Sequence, residues 1–354
     1  MKEMALDPGF GLSSNHQGRL HGIARKLDSQ GRLSKDALKI IIKNRHFHLF
    51  VPVEYGGMDL PLVQGMQIIE SYARIEGNLG WLVQIGAGGG VFAAYMDADT
   101  AYRFLGDPSC VIAGSDFVGG FGEWEEGGFR VTGTWGYASG AGYATAFTGN
   151  IRIKNSDGED EIRAVIVPSH QVEIIRNWNA MGMRATDSHS FRMENVFVPY
   201  NQLFSLDPAD LRTSTRTTHL PFELYARALF MPVLTGIAYR YAQLIQDYLN
   251  IRKIGEETTG YQEFKRLWRM IDSGRRLLYD TVEQFEDNTS GSIVHQGSVN
   301  EQFRSICLKI TRDLLNGMDN CHWMVGMKGV MMDDPLNIAY RNFKTVMAHR
   351  LLRP

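Results

Sequence analysis

Cysteine is scarce in this sequence: Cys110, Cys307 and Cys321 are the three found in 354 residues. They form no Cys-x-x-Cys pair and no Cys/His ligand spacing, and an odd number argues against a disulfide framework. No metal site is expected, and the natural setting is a reducing compartment. Charge of one sign is not in excess, since 37 Lys and Arg face 39 Asp and Glu for a net charge of -2. No overall basic field therefore draws the chain to nucleic acid or acidic lipid. Local pairs such as Arg25-Lys26 and Lys265-Arg266 read as solvated helix faces. Apolar runs stay below the ~18 residues needed to cross a bilayer, and residues 1–10 lack the charged-then-apolar pattern of a signal peptide. A soluble, cytoplasmic protein without a membrane span is expected. Phosphate-loop GKS/T, HExxH and GxSxG motifs are absent too. The glycines at 119, 120, 122, 127 and 128 have neither the spacing nor the strand-helix context of a dinucleotide loop.

What is present is enough apolar material, 44% of residues, to bury a large core, over a length that suits two or three domains. To about residue 108 the periodicity is helical: Leu20, Ile23, Ala24 and Leu27 share a face, and Ser34 is placed to cap the next helix. A mostly apolar segment, residues 62–73, precedes the glycine-rich run Gly80-Trp-Leu-Val-Gln-Ile-Gly-Ala-Gly-Gly-Gly90. That run suits either tight helix packing or a helix facing a substrate cavity, with Trp81 the residue to watch. From about 110 to 199 the period becomes two, and residues 111–112, 129–131, 145–153, 162–167, 172–175 and 191–198 read as six strands of an antiparallel barrel or sandwich. Helical period then returns in three long pieces, 222–251, 262–285 and 301–327, with a loop at 287–292. The stripe Phe264, Leu267, Ile271, Leu278, Val282, Phe285 reads as bundle core.

The stretch that brings these parts together is Gly133-Thr-Trp-Gly-Tyr-Ala-Ser-Gly140, at the end of the alternating run that starts at Gly128. Bare backbone, one hydroxyl and aromatic faces at one spot suit a planar heteroaromatic ring. The stretch resembles the flavin-contacting segment of the acyl-CoA dehydrogenase superfamily, in the G-x-W-x-(F/Y)-A-S-G form of its flavin-dependent, two-component monooxygenase branch. Val51-Pro-Val-Glu-Tyr-Gly-Gly57, Trp178-Asn-Ala-Met-Gly-Met-Arg-Ala-Thr-Asp-Ser188 with Glu194-Asn-Val-Phe-Val-Pro199, and Tyr340-Arg-Asn-Phe-Lys-Thr-Val-Met-Ala-His349 resemble further landmarks, in the superfamily's order.

The resemblance implies a mainly α protein with a β-domain: an N-terminal helical domain (1–108), a middle antiparallel β-barrel (109–205) and a C-terminal four-helix bundle (206–354) that assembles a homotetramer or dimer of dimers. It implies FAD or FMN, with reduced flavin supplied by a separate reductase. Gly114, Ser115, Trp135, Tyr137, Ser139, Gly140 and Trp178 become the expected flavin contacts, with Ser139 at the ring's N5, while Trp178 and Trp81 keep the pocket dry. Many acyl-CoA dehydrogenases place a catalytic glutamate nine residues after the arginine of an Arg-Asp pair; counted from Arg341, that position is Arg350, which cannot be a base. One residue earlier stands His349, where the monooxygenase branch places a histidine that acts as base on, or orients, a phenolic substrate. The usual pair is here Arg341-Asn342, and the R-x-FG flavin segment is missing near Asn250-Ile-Arg-Lys-Ile254. The expected function is monooxygenation of a small aromatic or heterocyclic substrate. Two rivals stand beside it: an acyl-CoA dehydrogenase with Glu223 as base, and a non-catalytic oligomer that keeps only the fold.

Overall fold

The computed structural model describes residues 12–154, 157–287 and 296–353. The segment 1–10 and, apart from Asp287, the loop expected at 287–292 lie outside the described residues. Among the described residues five α-helices precede the strands: α1 (Ser14–Gln30), α2 (Lys35–Lys43), α3 (Leu62–Ile75), α4 (Gly77–Gly88) and α5 (Ala98–Leu105). Each of the first two starts on a serine, whose hydroxyl accepts from a backbone N–H of the first turn, Ser13 from His16 and Ser34 from Ala37. Glu76, in extended conformation, separates α3 from α4 and caps α4 through Asn78 N–H. The glycines of α4 serve close packing. A Cβ at Gly80 would stand 2.5 Å from that of Ala73, and one at Gly86 would stand 2.3 Å from the Phe47 ring.

Seven strands follow among the described residues: β1 (Ile112–Glu125), β2 (Gly128–Ala138), β3 (Ala146–Lys154), β4 (Asp160–Pro168), β5 (Glu173–Ile175), β6 (His189–Pro199) and β7 (Leu203–Phe204). They form one sheet in the order β5-β6-β2-β1-β3-β4-β7. Two features differ from the antiparallel barrel expected. β1 and β3 run parallel, and the described ladders do not join the outer strands β5 and β7. The parallel pair arises because the chain after β2 returns to the start of β1, where Thr145 N–H donates to Val111 O at 2.9 Å.

β1 also runs far beyond residues 111–112, through the glycine-rich stretch. Trp135 explains this. A Cβ on Gly119, Gly120, Gly133 or Gly149 would lie 2.7 to 2.8 Å from its indole, so these glycines form a slot in which the ring lies flat inside the sheet. There it stacks on Phe191, with centroids 5.0 Å apart, and donates to Asn150 O at 2.9 Å.

Four further α-helices follow among the described residues, α6 (Phe222–Arg252), α7 (Thr259–Asp287), α8 (Gln296–His322) and α9 (Pro335–Met347). α6 is buried around most of its circumference, against α3 and α4 on one side and α7, α8 and α9 on the other. Helices before and after the sheet thus share one hydrophobic core, and the sheet encloses its own. A buried carboxylate ties the layers. Glu70 of α3 accepts from Arg275 Nε (2.8 Å) and Tyr279 OH (2.8 Å) of α7 and from Thr235 Oγ1 (3.2 Å) of α6. Burial alone would push its pKa up, but Arg74 and Arg275 outweigh that and hold it below the usual value.

Candidate functional site

β2 ends in a corner. A register shift lies between Trp135 and Ala138, Tyr137 takes φ +63 and Gly140 φ +82. A left-handed φ at a bulky aromatic residue stores strain. It leaves the Tyr137 ring 79% exposed and edge-on to Trp178, with centroids 6.4 Å apart. Ser139, two residues after Tyr137, is buried, and Gly140 N–H anchors the corner to Thr186 O at 2.8 Å.

A loop, residues 178–188, covers this corner. Trp178 is fixed twice: its backbone N–H donates to His189 Nδ1 and its indole N–H to Met183 O, both at 3.0 Å. Thr186 Oγ1 donates to Met183 O (2.8 Å) and lies 2.6 Å from Ser188 Oγ, which lies 2.7 Å from Ser139 Oγ. Each hydroxyl has one proton, so the row has a direction. Thr186 spends its proton on the carbonyl, Ser188 donates to Thr186, and Ser139 donates to Ser188. Ser139 is left as an acceptor, and Trp81 Nε1–H of α4 donates to it at 2.9 Å.

Trp81 connects the corner to the end of α9. Its ring meets the His349 imidazole edge-on at 5.8 Å between centroids, and Phe230 of α6 stacks on that imidazole at 4.2 Å. Trp81 therefore links Ser139 to His349, and Phe230 packs against both the indole and the imidazole. His349 caps a 3-10 turn, Arg350–Leu352, with Nδ1 accepting from Leu351 N–H at 3.4 Å. The proton of the neutral ring then sits on Nε2. Burial lowers the imidazole pKa to about 4, against the raising pull of Asp116 and with help from Arg350 and Arg353. Arg350 Nε donates to Asp116 Oδ2 of β1 at 2.8 Å, pinning this turn to the sheet.

Arg341 and Asn342 act on the loop. Arg341 Nη1 donates to Met181 O at 2.6 Å and its guanidinium pairs with Asp28 of α1. Asn342 Oδ1 accepts from Met183 N–H at 2.6 Å, and its Nδ2 donates to Glu76 Oε1 at 2.8 Å. Asn78, also held by Glu76, accepts from Ala185 N–H at 2.9 Å. Burial raises the Glu76 pKa to about 7, against the N–H donors of Asn78. An asparagine suits position 342 because it offers an acceptor to the loop and a donor to Glu76. An aspartate could offer only the first.

The structure thus gathers Ser139, Gly140, Tyr137, Trp178, Trp81 and His349 into one region. Trp135 is a correction: fully buried in the sheet core, it offers no face to a ligand. Gly114 faces β3, since a Cβ there would meet Thr148 Oγ1 at 2.1 Å, and Ser115 follows it in the same β1–β3 ladder. Glu223 is exposed in the first turn of α6. Phe230, Thr186 and Glu76 escaped the sequence reading. In a helix as uniformly apolar as α6 nothing marks the one phenylalanine that meets the imidazole, and hydroxyls in a loop look alike until it is folded. Among the described residues no group of three or more His, Cys, Asp or Glu is placed to hold a metal, and no helix is long and apolar enough to cross a membrane.

No family model matches the chain. It is 23% identical over 340 residues to an indole-3-acetate monooxygenase of Pseudomonas putida, covering 92% of this chain and 86% of that one. It is 27% identical over 184 residues to HsaA, the oxygenase subunit of a flavin-dependent monooxygenase of Rhodococcus jostii, covering 51% of this chain and 48% of HsaA. Among solved structures, 3-HSA hydroxylase from Rhodococcus sp. RHA1 superposes with a TM-score of 0.87 at 19% identity, over 96% of this chain and 92% of that one. XiaF from Streptomyces sp., solved with FADH2 and glycerol, gives a TM-score of 0.85 at 19% identity, over 96% of this chain and 92% of that chain. The homologues of this chain are flavin-dependent monooxygenases, and it has the acyl-CoA dehydrogenase-type fold of its structural neighbours.

Proposed function

We propose that the chain is the oxygenase component of a two-component flavin monooxygenase, hydroxylating a small aromatic or heterocyclic substrate with reduced FAD or FMN made by a partner reductase. One observation carries this reading: the directed hydroxyl row leaves Ser139 as an acceptor, with a ring N–H, that of Trp81, resting on it. Reduced flavin presents a ring N–H at N5. Oxidised flavin presents a lone pair there, which the Ser139 hydroxyl could meet only with the row reversed. The residues therefore fit the reduced group, which when bound supplies the activation of oxygen.

Ser139 would accept from N5, Tyr137 and Trp178 would cover the ring, and Gly140 would keep backbone close to it. Trp81 and Phe230 would exclude water. With its proton on Nε2, His349 is arranged to donate to a substrate oxygen and hold it in place. Of the two roles expected for this histidine, base and orientation, the second is the one adopted in this proposal. A cytoplasmic setting and the division into segments 1–108, 109–205 and 206–354 belong to the same proposal. So does assembly as a homotetramer or dimer of dimers, supported by exposed Trp323, Met327, Met331 and Met332 between α8 and α9.

The test is anaerobic titration with reduced and oxidised FMN and FAD, followed by aeration with a panel of phenols and indoles and mass analysis of the products. Tight binding of the reduced form and an oxygen-atom increment in a product are expected. A protein that binds neither flavin is the non-catalytic alternative. Bleaching of bound oxidised flavin by a CoA thioester would establish the dehydrogenase instead.

A further inference from the structure

Arg227 of α6 is 4% exposed. Its Nε donates to Leu351 O at 3.1 Å, while its Nη1 is buried without a partner, and no carboxylate among the described residues pairs with it. Arg341 and Arg275, also largely buried, meet Asp28 and Glu70. A guanidinium stays charged in a protein interior, and burying one without an anion is costly. The surroundings of Arg227 show which group an anion there would meet. Arg227 precedes Phe230 by three residues, close to one helical turn, and Phe230 stacks on His349. Leu351, whose carbonyl Arg227 holds, also gives its N–H to His349. The charge is thus linked to the imidazole through a single residue, Leu351.

We propose that Arg227 receives the carboxylate of an anionic aromatic substrate whose ring lies against Phe230 and His349. The inference rests on the monooxygenase reading and deepens it, from aromatic substrates in general to aryl carboxylates. A planar fork of N–H donors matches a carboxylate in a way that a neutral amide does not. The flavin's own phosphate is the other anion that could reach Arg227, and the test separates the two.

Calorimetry on the intact protein, anaerobic and with reduced FMN present, would compare benzoate with benzamide, phenylacetate with phenylacetamide, and indole-3-acetate with indole-3-acetamide. Wild type should bind at least one carboxylate tenfold or more tighter than its amide. Arg227→Met should abolish that preference, and Arg227→Lys should keep part of it. No preference in any pair, or a preference unchanged in Arg227→Met, overturns the proposal, and the wild-type comparison decides even if a variant fails to fold. Reduced FMN and reduced riboflavin are titrated into the same samples. Should Arg227→Met weaken only FMN, the anion is the flavin phosphate and the proposal is wrong. If wild type binds neither, the monooxygenase reading falls separately.

Discussion

The indole N–H of Trp81 rests on the hydroxyl oxygen of Ser139 while the same indole touches the ring of His349. One side chain thus links the sheet corner to the end of α9 and occupies the donor position proposed for a flavin N–H. Flavin entry must then displace this hydrogen bond. Trp81→Phe removes the competitor, and a bond of about 1 kcal/mol corresponds to roughly fivefold in affinity. Reduced flavin should bind a few-fold tighter, while the smaller ring admits water and lowers the ratio of hydroxylated product to hydrogen peroxide. Anaerobic titration and product counting check both, and weaker binding would show the indole to be a platform for the flavin.

His349 separates donation from proton abstraction. If its Nε2–H orients the substrate, His349→Gln, which still carries an N–H donor, should stay within about tenfold of wild type. His349→Ala should lose about a hundredfold or more in kcat/KM, and both variants should still bind reduced flavin. Equal losses would restore the base role.

Stability against pH gives a second handle on the same residue. The folded-state pKa of His349, about 4, lies below the unfolded value of 6.5. Its contribution is therefore complete above pH 6.5 and is lost as pH falls toward 4, where the unfolded chain takes up the proton first. Denaturant titrations of wild type and His349→Gln should run parallel above pH 6.5, and wild type should lose ground below it, by an amount on the order of 3 kcal/mol at most.

Asn342 tests the staple. Asn342→Asp would keep the acceptor for Met183 N–H but set a second carboxylate against Glu76. Destabilisation of about 2 kcal/mol is expected at pH 8. It should shrink as pH falls below about 7, where Glu76 takes up a proton. A pH-independent loss would mean that the bond to Glu76 carries little.

Trp135→Phe should cost about 2 to 3 kcal/mol, through the lost bond to Asn150 O and the space left in the glycine slot. Reduced-flavin affinity should hold. A large fall in affinity with unchanged stability would return Trp135 to the ligand.

Much of the layout was legible in the sequence because period is a local property: the switch from helix to strand and back is written in residue spacing, and the Ser34 cap stands where expected. The corner at residues 137–140 was legible for its composition. Sheet topology was not, because a parallel β1–β3 pair depends on where the chain returns after β2 and no stretch of β1 or β3 encodes that. Trp135 misled because an aromatic among glycines suits a ligand platform and a buried ring in a slot equally well. Asn342 looked like a departure from pattern, and only its contact with Glu76, 266 residues away, gives it a reason.

The three groups at the candidate site come from three parts of the fold: Trp81 from the leading helices, Ser139 from the sheet, and His349 from a turn that Arg350 moors to Asp116. A molecule with any one of these layers melted would lack one of the three contacts proposed for flavin and substrate. On the proposed reading, heat-damaged or half-assembled copies should lose hydroxylation and peroxide formation together.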